Sequence, residues 1–298
     1  MDQLCEKALN QSKIQTILTG IDYGQSLSGL PTGFKDLDQL LNGLQDGDLI
    51  VVGGKSIGKT SFVLNICANV ATKTDACVTY FSLATKTEII ANRLVAAEGN
   101  ININRIQRNT LTKDDWERVS MSMGSLSSAN LHISDHPILC VKDIEEIIIA
   151  LQEEYPDVKH VVAVDYLSLL DTGGQQNRYE QTDFAVKKLK LMARTLNCSV
   201  ILVVNLSRNY DRRIENNKLN TRPRLSDLRD SGTIEEDADV VILLHKDIDK
   251  YESDPELRSN VIDIIVEKHR NGTTGDLKLA FVREYSKFVN LEKRDEES

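Results

Sequence analysis

The chain alternates apolar runs of strand length with longer segments whose apolar residues recur at helical spacing. The apolar runs read DLIVVGG (48–54), CVTYFSL (77–83), VVAVDYLSLL (161–170) and SVILVVNL (199–206). Segments between them, such as TEIIANRLVAAEG and DIEEIIIALQEE, have the spacing of helices covered on one side. Continuous apolar strands that alternate with helices are typical of a mostly parallel sheet with helices on both faces. The pattern therefore predicts an α/β fold.

The two ends of the chain depart from this alternation. Runs ADVVILL, NVIDIIVEKHR, DLKLAFVRE and KFVNL follow one another with little helical sequence between them. We expect these strands to pair antiparallel and to close the C-terminal edge of the sheet. The start, DQLCEKALNQSKIQTIL, has helical spacing and precedes a polar linker. The predicted division is an N-terminal helix and linker (1–27), one core domain (28–291) and a charged tail (292–298).

Composition narrows the class of protein without deciding its partners. The 298 residues are 41% hydrophobic, which is enough for a sizeable core. Five scattered cysteines without metal-like spacing, and no apolar run near the roughly 20 residues of a membrane span, favour a reducing, cytoplasmic setting. The formal net charge of −9 argues against a uniformly basic DNA-coating protein, but a local basic surface remains compatible with it.

The stretch VVGGKSIGKTSF (51–62) contains a complete G-x-x-x-x-G-K-[ST] motif between a predicted strand and a predicted helix. Backbone N–H groups of such a loop, with the helix N-terminus, cradle phosphates. Lys59 is expected to reach the β- and γ-phosphates of ATP, and the Thr60 hydroxyl to bind Mg²⁺. A chance glycine-rich turn is disfavoured by the complete motif in its required context. The predicted nucleotide-binding residues are Gly53, Ser56, Gly58, Lys59, Thr60 and Ser61.

Two further polar residues lie in or at the end of predicted strands. Asp165 follows consecutive small apolar residues in HVVAVD, and a buried strand rarely carries an aspartate without a partner. We expect Asp165 to complete the Mg²⁺ site. Asn205 ends VILVVN, where its side chain could sense the γ-phosphate. A structural role, capping the turn that follows, is an equally good interpretation of Asn205.

The motifs together resemble the RecA-like motor domain of DnaB-type replicative helicases over nearly the whole chain. The most specific stretches are VDYLSLL, QQNRYEQ, RPRLSDLRDSGTIEEDADVVILLHKD and EKHRNGTTGDLKLAF. The resemblance implies a hexameric ring with ATP and Mg²⁺ between subunits and single-stranded DNA in the channel. It also implies 5′ to 3′ translocation and contacts with replication proteins such as a loader and a primase.

The resemblance assigns Lys268 and Arg270, in EKHRNG, to the pair that reaches the γ-phosphate of a neighbouring subunit. Residues two apart on a strand face the same way, so both cations can point at one anion. A cation supplied from outside a site stabilises the charge of phosphoryl transfer. Without an oligomer, the two residues would simply be exposed charges at a strand end.

The same resemblance places DNA-facing loops at TGGQQNRYEQ and RLSDLRDSG. Between residues 208 and 230, six Arg and one Lys oppose four acidic residues, a local excess of +3. Basic side chains that follow phosphates give affinity without reading sequence. A solvated charged loop is the alternative interpretation. The predicted DNA-contacting residues are Arg178, Arg208, Arg229, Asp230 and Gly232.

Two departures from the family pattern bear on activity. The family reads F-S-L-E after the second core strand, and that glutamate polarises the attacking water, whereas this chain reads Phe81-Ser82-Leu83-Ala84. Glu88 is not expected to substitute, because one helical turn carries it about 6 Å away. Asn205 also replaces a glutamine, and little sequence precedes the core where the family carries a helical collar domain.

Three hypotheses follow. The first is an ATP-driven hexameric helicase or translocase. The second is a paralogue that binds ATP and DNA without hydrolysis and regulates a true helicase, as the alanine at position 84 suggests. A recombination or clock-type ATPase on the same core ranks last, because SDLRDSGTIEEDAD is typical of the replicative group.

Overall fold

The structure is a computed structural model, and it describes residues 27–55, 57–172, 177–216, 222–228, 231–246 and 260–291. The described strands form one sheet in the order β3-β2-β4-β5-β1-β6-β7-β8-β9. Their bounds are β1 Leu49–Gly54, β2 Cys77–Ser82, β3 Leu131–Ser134, β4 His160–Asp165, β5 Ser199–Asn205, β6 Val240–His245, β7 Val261–His269, β8 Gly275–Val282 and β9 Lys287–Asn290.

Helices cover both faces of this sheet. Their bounds are α1 Lys35–Leu41, α2 Lys59–Lys73, α3 Thr87–Gly99, α4 Ile103–Gln107, α5 Lys113–Ser127, α6 Val141–Glu154, α7 Arg178–Thr195, α8 Arg208–Asn216 and α9 Ser231–Asp237. Single turns of 3₁₀ helix span Leu167–Leu169, Leu225–Asp227 and Arg283–Tyr285. No helix within the described ranges combines the length and the apolar character needed to cross a membrane.

The first six strands are parallel, and their carboxyl ends meet at one edge. Gly54 at the end of β1 pairs with Asn205 at the end of β5. Ser82 at the end of β2 pairs with Asp165 at the end of β4. Ligands of open parallel sheets bind outside such an edge. The predicted phosphate loop, Asp165 and Asn205 are therefore brought together.

Beyond β6 the sheet becomes antiparallel, as the sequence predicted. Strand β7 pairs antiparallel with β6 and β8, and β8 pairs antiparallel with β9. The predicted α/β fold, a mostly parallel sheet with antiparallel strands at its C-terminal edge, is confirmed.

The core forms two apolar layers, one on each face of the sheet. Strand β2 shows the alternation: Tyr80 packs in the layer with α2, and Phe81 packs in the layer with α6 and α7. Both side chains are fully buried. A strand covered on both faces reads as a continuous apolar run, which is why periodicity of two was absent from the sequence.

One predicted strand was too long. The run VVAVDYLSLL was expected to be a strand over 161–170, but β4 ends at Asp165 and residues Leu167–Leu169 form a 3₁₀ turn. Leu167 and Leu170 are nevertheless buried in the α6 and α7 layer. Apolar character therefore continued past the strand end because the turn folds back onto the core, not because the strand continues.

Two predicted segments, the N-terminal helix over residues 2–18 and the tail over 292–298, lie outside the described residues. Helix α5 and strand β3 were not predicted. Helix α5 has few buried residues, and β3 is a four-residue strand at the edge of the sheet. Such short or mostly polar elements leave a weak apolar pattern.

Candidate nucleotide-binding site

A cavity of about 440 Å³ opens at the carboxyl edge of the parallel strands. It lies between the start of α2, the ends of β4 and β5, and the hairpin that joins β8 to β9. The residues that line it are Gly58, Lys59, Thr60, Ser61, Arg93, Ile103, Asp165, Tyr166, Val203, Asn205, Phe281, Arg283 and Ser286. Four consecutive residues predicted to bind nucleotide thus share one cavity with Asp165 and Asn205.

Gly58 forms the corner between the loop and helix α2. Its φ is 92°, a left-handed conformation that favours glycine. A Cβ at this position would also lie 3.0 Å from Phe281, whose ring stacks on Phe288 at a centroid distance of 4.5 Å. Both backbone conformation and space therefore require glycine where the chain turns to present the N-terminus of α2 to the cavity.

Lys59 lies inside this cavity, and its Nζ donates a hydrogen bond to the Gly54 carbonyl at 2.6 Å. Burial lowers the pKa of Lys59, an effect that the Asp165 carboxylate opposes. A desolvated ammonium group is stabilised by an anion. The lysine therefore has the environment expected of a phosphate-binding cation.

Thr60 and Asp165 are in direct contact: Thr60 Oγ1 donates to Asp165 Oδ2 at 2.6 Å. Asp165 ends β4 and is buried. A hydroxyl and a carboxylate beside a phosphate loop are hard oxygen donors of the kind that Mg²⁺ takes alongside nucleotide phosphates. Within the described ranges, no group of three or more His, Cys, Asp or Glu side chains could hold a metal ion by itself. The Thr60 hydroxyl and the Asp165 carboxylate fit a Mg²⁺ that also takes phosphate oxygens.

The other predicted nucleotide-binding residues have different positions. Gly53 lies inside β1, where a Cβ would meet a terminal methyl of Leu228 at 2.6 Å and one of Leu243 at 2.9 Å. Ser61 lines the cavity, but its hydroxyl hydrogen-bonds the Ser286 hydroxyl at 2.7 Å. Ser56 lies outside the described residues.

Several residues in and beside the cavity were not identified from the sequence. Arg93 comes from α3, Arg283 follows β8, and Tyr80 of β2 donates from its hydroxyl to Asp165 Oδ2 at 2.7 Å. Two arginines add positive charge around a site that holds the P-loop lysine, which favours a polyanionic ligand. No local sequence motif marks these residues, because only the fold brings them to the site from distant parts of the chain.

Position 84 lies shortly after β2, close to the end of β4. The Leu83 N–H donates to the Asp165 carbonyl at 2.8 Å, which fixes the chain at this point. Neither Ala84 nor Glu88 is among the residues that line the cavity, and both are exposed. That Glu88 does not take the place of the family glutamate stays a prediction.

Lys268 and Arg270 lie away from the cavity of their own chain. Lys268 Nζ donates to the Glu235 carbonyl at 2.5 Å, and Arg270 donates to the Glu236 carbonyl at 2.6 Å. Both cations thus turn to the same side, onto the C-terminal carbonyls of α9. Burial, and secondarily the neighbouring Arg270, lowers the pKa of Lys268.

The predicted DNA-contacting segments meet around α7 and α9. Arg178 is the first residue of α7, Arg208 is the first of α8, and Gly232 lies in α9. A side chain at position 232 would contact Tyr179 Oη at 3.5 Å. Thr233 Oγ1 donates to Asp183 Oδ1 at 2.8 Å, which joins α9 to α7. Arg229 and Asp230 lie outside the described residues.

Ion pairs reduce the local positive charge that the sequence indicated between residues 208 and 230. Arg213 pairs with Asp227 within this segment. Arg222 donates to Asp276 Oδ1 at 2.8 Å, and Asp276 belongs to β8. These ion pairs occupy Arg213 and Arg222, while Arg212 and Arg224 remain exposed.

Comparison with known proteins gives a consistent match. Residues 29–290 match the DnaB-like helicase C terminal domain. The chain is 42% identical over 275 residues to the replicative DNA helicase DnaB of Geobacillus stearothermophilus, covering 91% of this chain and 59% of that protein. It is 42% identical over 271 residues to the replicative DNA helicase DnaC of Bacillus subtilis (strain 168), covering 90% and 58%. The chain thus spans about three fifths of the length of these relatives.

Solved structures agree with these matches. A structure described as an ATPase domain has a TM-score of 0.87 at 33% identity and covers 95% of this chain and 98% of that chain. A DnaB-like replicative helicase, solved in a study of its interactions with primase, has a TM-score of 0.84 at 33% identity and covers 96% and 67%. The RecA-like character of the predicted core is confirmed.

Proposed function

The chain belongs to the family of DnaB-like helicase C-terminal domains, and on this premise we propose that it is an ATP-driven motor that moves along single-stranded DNA. In this proposal the motor works as a hexameric ring, with ATP and Mg²⁺ between subunits, and couples hydrolysis to duplex unwinding during DNA replication. The convergence of Lys59, Thr60 and Asp165 in one cavity carries the proposal.

Each residue has a defined task in this mechanism. Lys59 and the N–H groups at the start of α2 bind the phosphates, and Thr60 and Asp165 would hold Mg²⁺. Mg²⁺ held there would neutralise charge on the nucleotide phosphates. Asn205, at the end of β5, orients or senses the γ-phosphate side of the site. Lys268 and Arg270 of an adjacent subunit stabilise the charge that develops during phosphoryl transfer.

The DNA contacts follow the backbone without reading sequence. We place them around the first residues of α7, α8 and α9, with Arg178, Arg208, Arg229, Asp230 and Gly232 as the contacting residues. We further propose 5′ to 3′ movement, a cytoplasmic location, and contacts with a loader and with primase. The primase interaction studied for a DnaB-like replicative helicase supports the last of these.

A second candidate function has a specific observation in its favour. Ala84 stands where the family glutamate polarises water, and a general base commonly contributes about 10²–10⁴ in rate. The chain would then bind ATP and DNA and enter rings without driving unwinding. Its phosphate loop and Asp165 would be retained for assembly or for regulation of an active helicase.

Steady-state ATP turnover, with and without single-stranded DNA, separates the two candidates. We expect DNA-stimulated turnover in the parent, accompanied by unwinding of a forked duplex, and its loss in Lys59→Ala. Lys55→Ala is the matched control, because Lys55 is a second lysine of the same loop whose Nζ pairs with Asp211 at 2.6 Å, away from the cavity. Nucleotide binding without turnover in the parent would favour the second candidate. Absence of nucleotide binding would contradict both.

A further inference from the structure

A tyrosine hydroxyl stands beside the carboxylate of Asp165, in the apolar layer that contains α2. Tyr80 pairs with Ala163 across β2 and β4, and Asp165 follows two residues later on the same face. Ala163 is small, which leaves room for the Tyr80 ring to lean along the strands toward their carboxyl ends. The ring is fully buried among apolar residues, so its hydroxyl must find a partner within the protein.

That partner is Asp165. Tyr80 Oη donates to Asp165 Oδ2 at 2.7 Å, and Thr60 Oγ1 donates to the same oxygen at 2.6 Å. The two donors approach from different elements, β2 and the start of α2. A carboxylate held by two donors on one oxygen is restricted in its rotation, and hydrogen bonds to a charged acceptor are the stronger kind.

The Tyr80 hydroxyl donates to Asp165 and is not among the residues that line the cavity. Because the ring is fully buried, the hydroxyl reaches the site only through the Asp165 carboxylate. The role of Tyr80 is therefore to be sought in the position of Asp165.

We infer that Tyr80 is a positioning residue that orients the Asp165 carboxylate for the Mg²⁺ that accompanies the nucleotide. The inference rests on the proposed function, because it assumes that Thr60 and Asp165 form the Mg²⁺ site. Partners that orient a metal ligand typically contribute about 10–100-fold to metal affinity. Removal of the hydroxyl alone should therefore weaken Mg²⁺-dependent nucleotide binding and leave metal-free binding to Lys59 and the loop unchanged.

Tyr80→Phe tests the inference, since it deletes one oxygen and keeps the ring. Thr79→Val is the matched control: Thr79 precedes Tyr80 on the same strand, faces the opposite side and carries a buried hydroxyl without a hydrogen-bond partner among the described residues. Binding of a fluorescent, non-hydrolysable ATP analogue is titrated against Mg²⁺ and repeated in EDTA. In Tyr80→Phe we expect the half-saturating Mg²⁺ concentration to rise roughly 10-fold or more. The affinity in EDTA should stay at the parent's value, and Thr79→Val should match the parent in both.

A double-mutant cycle with Asp165→Asn separates positioning from packing. If Tyr80 acts through Asp165, Tyr80→Phe adds no further loss in the Asp165→Asn background. An unchanged Mg²⁺ dependence in Tyr80→Phe would overturn the inference while leaving the proposed function standing. Equal losses with Mg²⁺ and in EDTA, or fully additive losses in the cycle, would overturn it in favour of packing. Absence of Mg²⁺-dependent binding in the parent would overturn the inference and the proposed function together.

Discussion

At the scale of single residues, position 84 bears most directly on whether the site can activate water. The hydrogen bond from the Leu83 N–H to the Asp165 carbonyl holds Leu83 against the end of β4. The backbone from which a longer side chain at position 84 would extend is therefore fixed. The neighbouring β2 and β4 ends are paired at Ser82 and Asp165, which fixes this geometry further. If the family glutamate acts from this position, as proposed, the chain lacks only the carboxylate, because the backbone beside it is already held.

We expect Ala84→Glu to raise ATP turnover by about 10²–10⁴ with little change in nucleotide affinity, because a general base acts on the chemical step. Position 84 is exposed, so a longer side chain should not disturb the core. Ala84→Gln has the same length without the carboxylate and should remain at the parent's rate. Steady-state kinetics together with nucleotide binding make the comparison. Equal rates for the two variants would show that some other group already activates water.

At the scale of elements, the short helix α9 contacts both the region predicted to bind DNA and the two cations predicted to act on a neighbouring subunit. Its Gly232 end lies against the start of α7, where the predicted DNA-contacting segments meet. Its C-terminal carbonyls, from Glu235 and Glu236, accept hydrogen bonds from Lys268 and Arg270. A displacement of α9 on the DNA side would thus act directly on the cations proposed to serve an adjacent subunit.

Helix α5 provides a test of local stability by pH. Asp115 accepts a hydrogen bond from the Thr112 N–H at 3.0 Å and forms ion pairs with Arg105 and Arg118, each at 3.1 Å. The backbone bond to Thr112 is the largest cause that lowers the pKa of Asp115 to about 2. The helix packs closely on α3, which carries Arg93. The closeness is seen at Gly99 of α3, where a Cβ would lie only 2.6 Å from Ser122 Oγ of α5.

A carboxyl group whose pKa is lower in the folded state stabilises that state above its unfolded pKa and loses this contribution as the pH falls through the folded value. Asp115→Asn should therefore lower the free energy of unfolding near pH 7, and its difference from the parent should shrink between about pH 4 and about pH 2. Urea unfolding followed by circular dichroism across this range measures the difference. Asp114→Asn, in the same turn with an exposed side chain, controls for the helix dipole. A constant difference at all pH values would contradict this account.

The sequence predicted the elements whose residues form a continuous apolar run. It did not predict features that depend on contacts between distant parts of the chain. Burial and phosphate binding impose local sequence patterns. These patterns made it possible to recognise the strands β1, β2, β4 and β5 and the motif Gly58-Lys59-Thr60. The end of β4 at Asp165 could not be recognised from the sequence, because Leu167 and Leu170 are buried in the same core layer as the strand that precedes them. Tyr80 reads as one more core residue, because its partner Asp165 lies 85 positions away.

At the scale of the whole molecule, the proposed mechanism takes its active site from two chains. The cavity contains the P-loop lysine, the threonine and the carboxylate, whereas Lys268 and Arg270 are held on α9 outside it. A subunit that offers a P-loop on one side and cations on another builds a heterologous interface, which closes into a ring when the rotation permits. Activity should then belong to pairs of subunits.

Mixing two inactive variants tests this directly. Lys59→Ala lacks the phosphate-binding cation, and Arg270→Ala lacks the residue proposed to act across the interface, so each alone should lose ATP turnover. In rings assembled from equal amounts of both, about a quarter of the interfaces join an intact P-loop to an intact Arg270. Steady-state ATP turnover should therefore recover to about a quarter of the rate of the parent. Where the parent is slow, the variants are made in the Ala84→Glu background.

The control for this experiment mixes Lys59→Ala with the double variant Lys59→Ala/Arg270→Ala, which restores no complete interface and should stay inactive. Native mass spectrometry establishes that mixed oligomers form in both cases. Mixed oligomers without recovered turnover would show that Arg270 serves its own subunit or none. Recovery requires the two residues to act on one phosphate from different chains, and the contact of Arg270 with α9, outside the cavity of its own chain, makes that the outcome we expect.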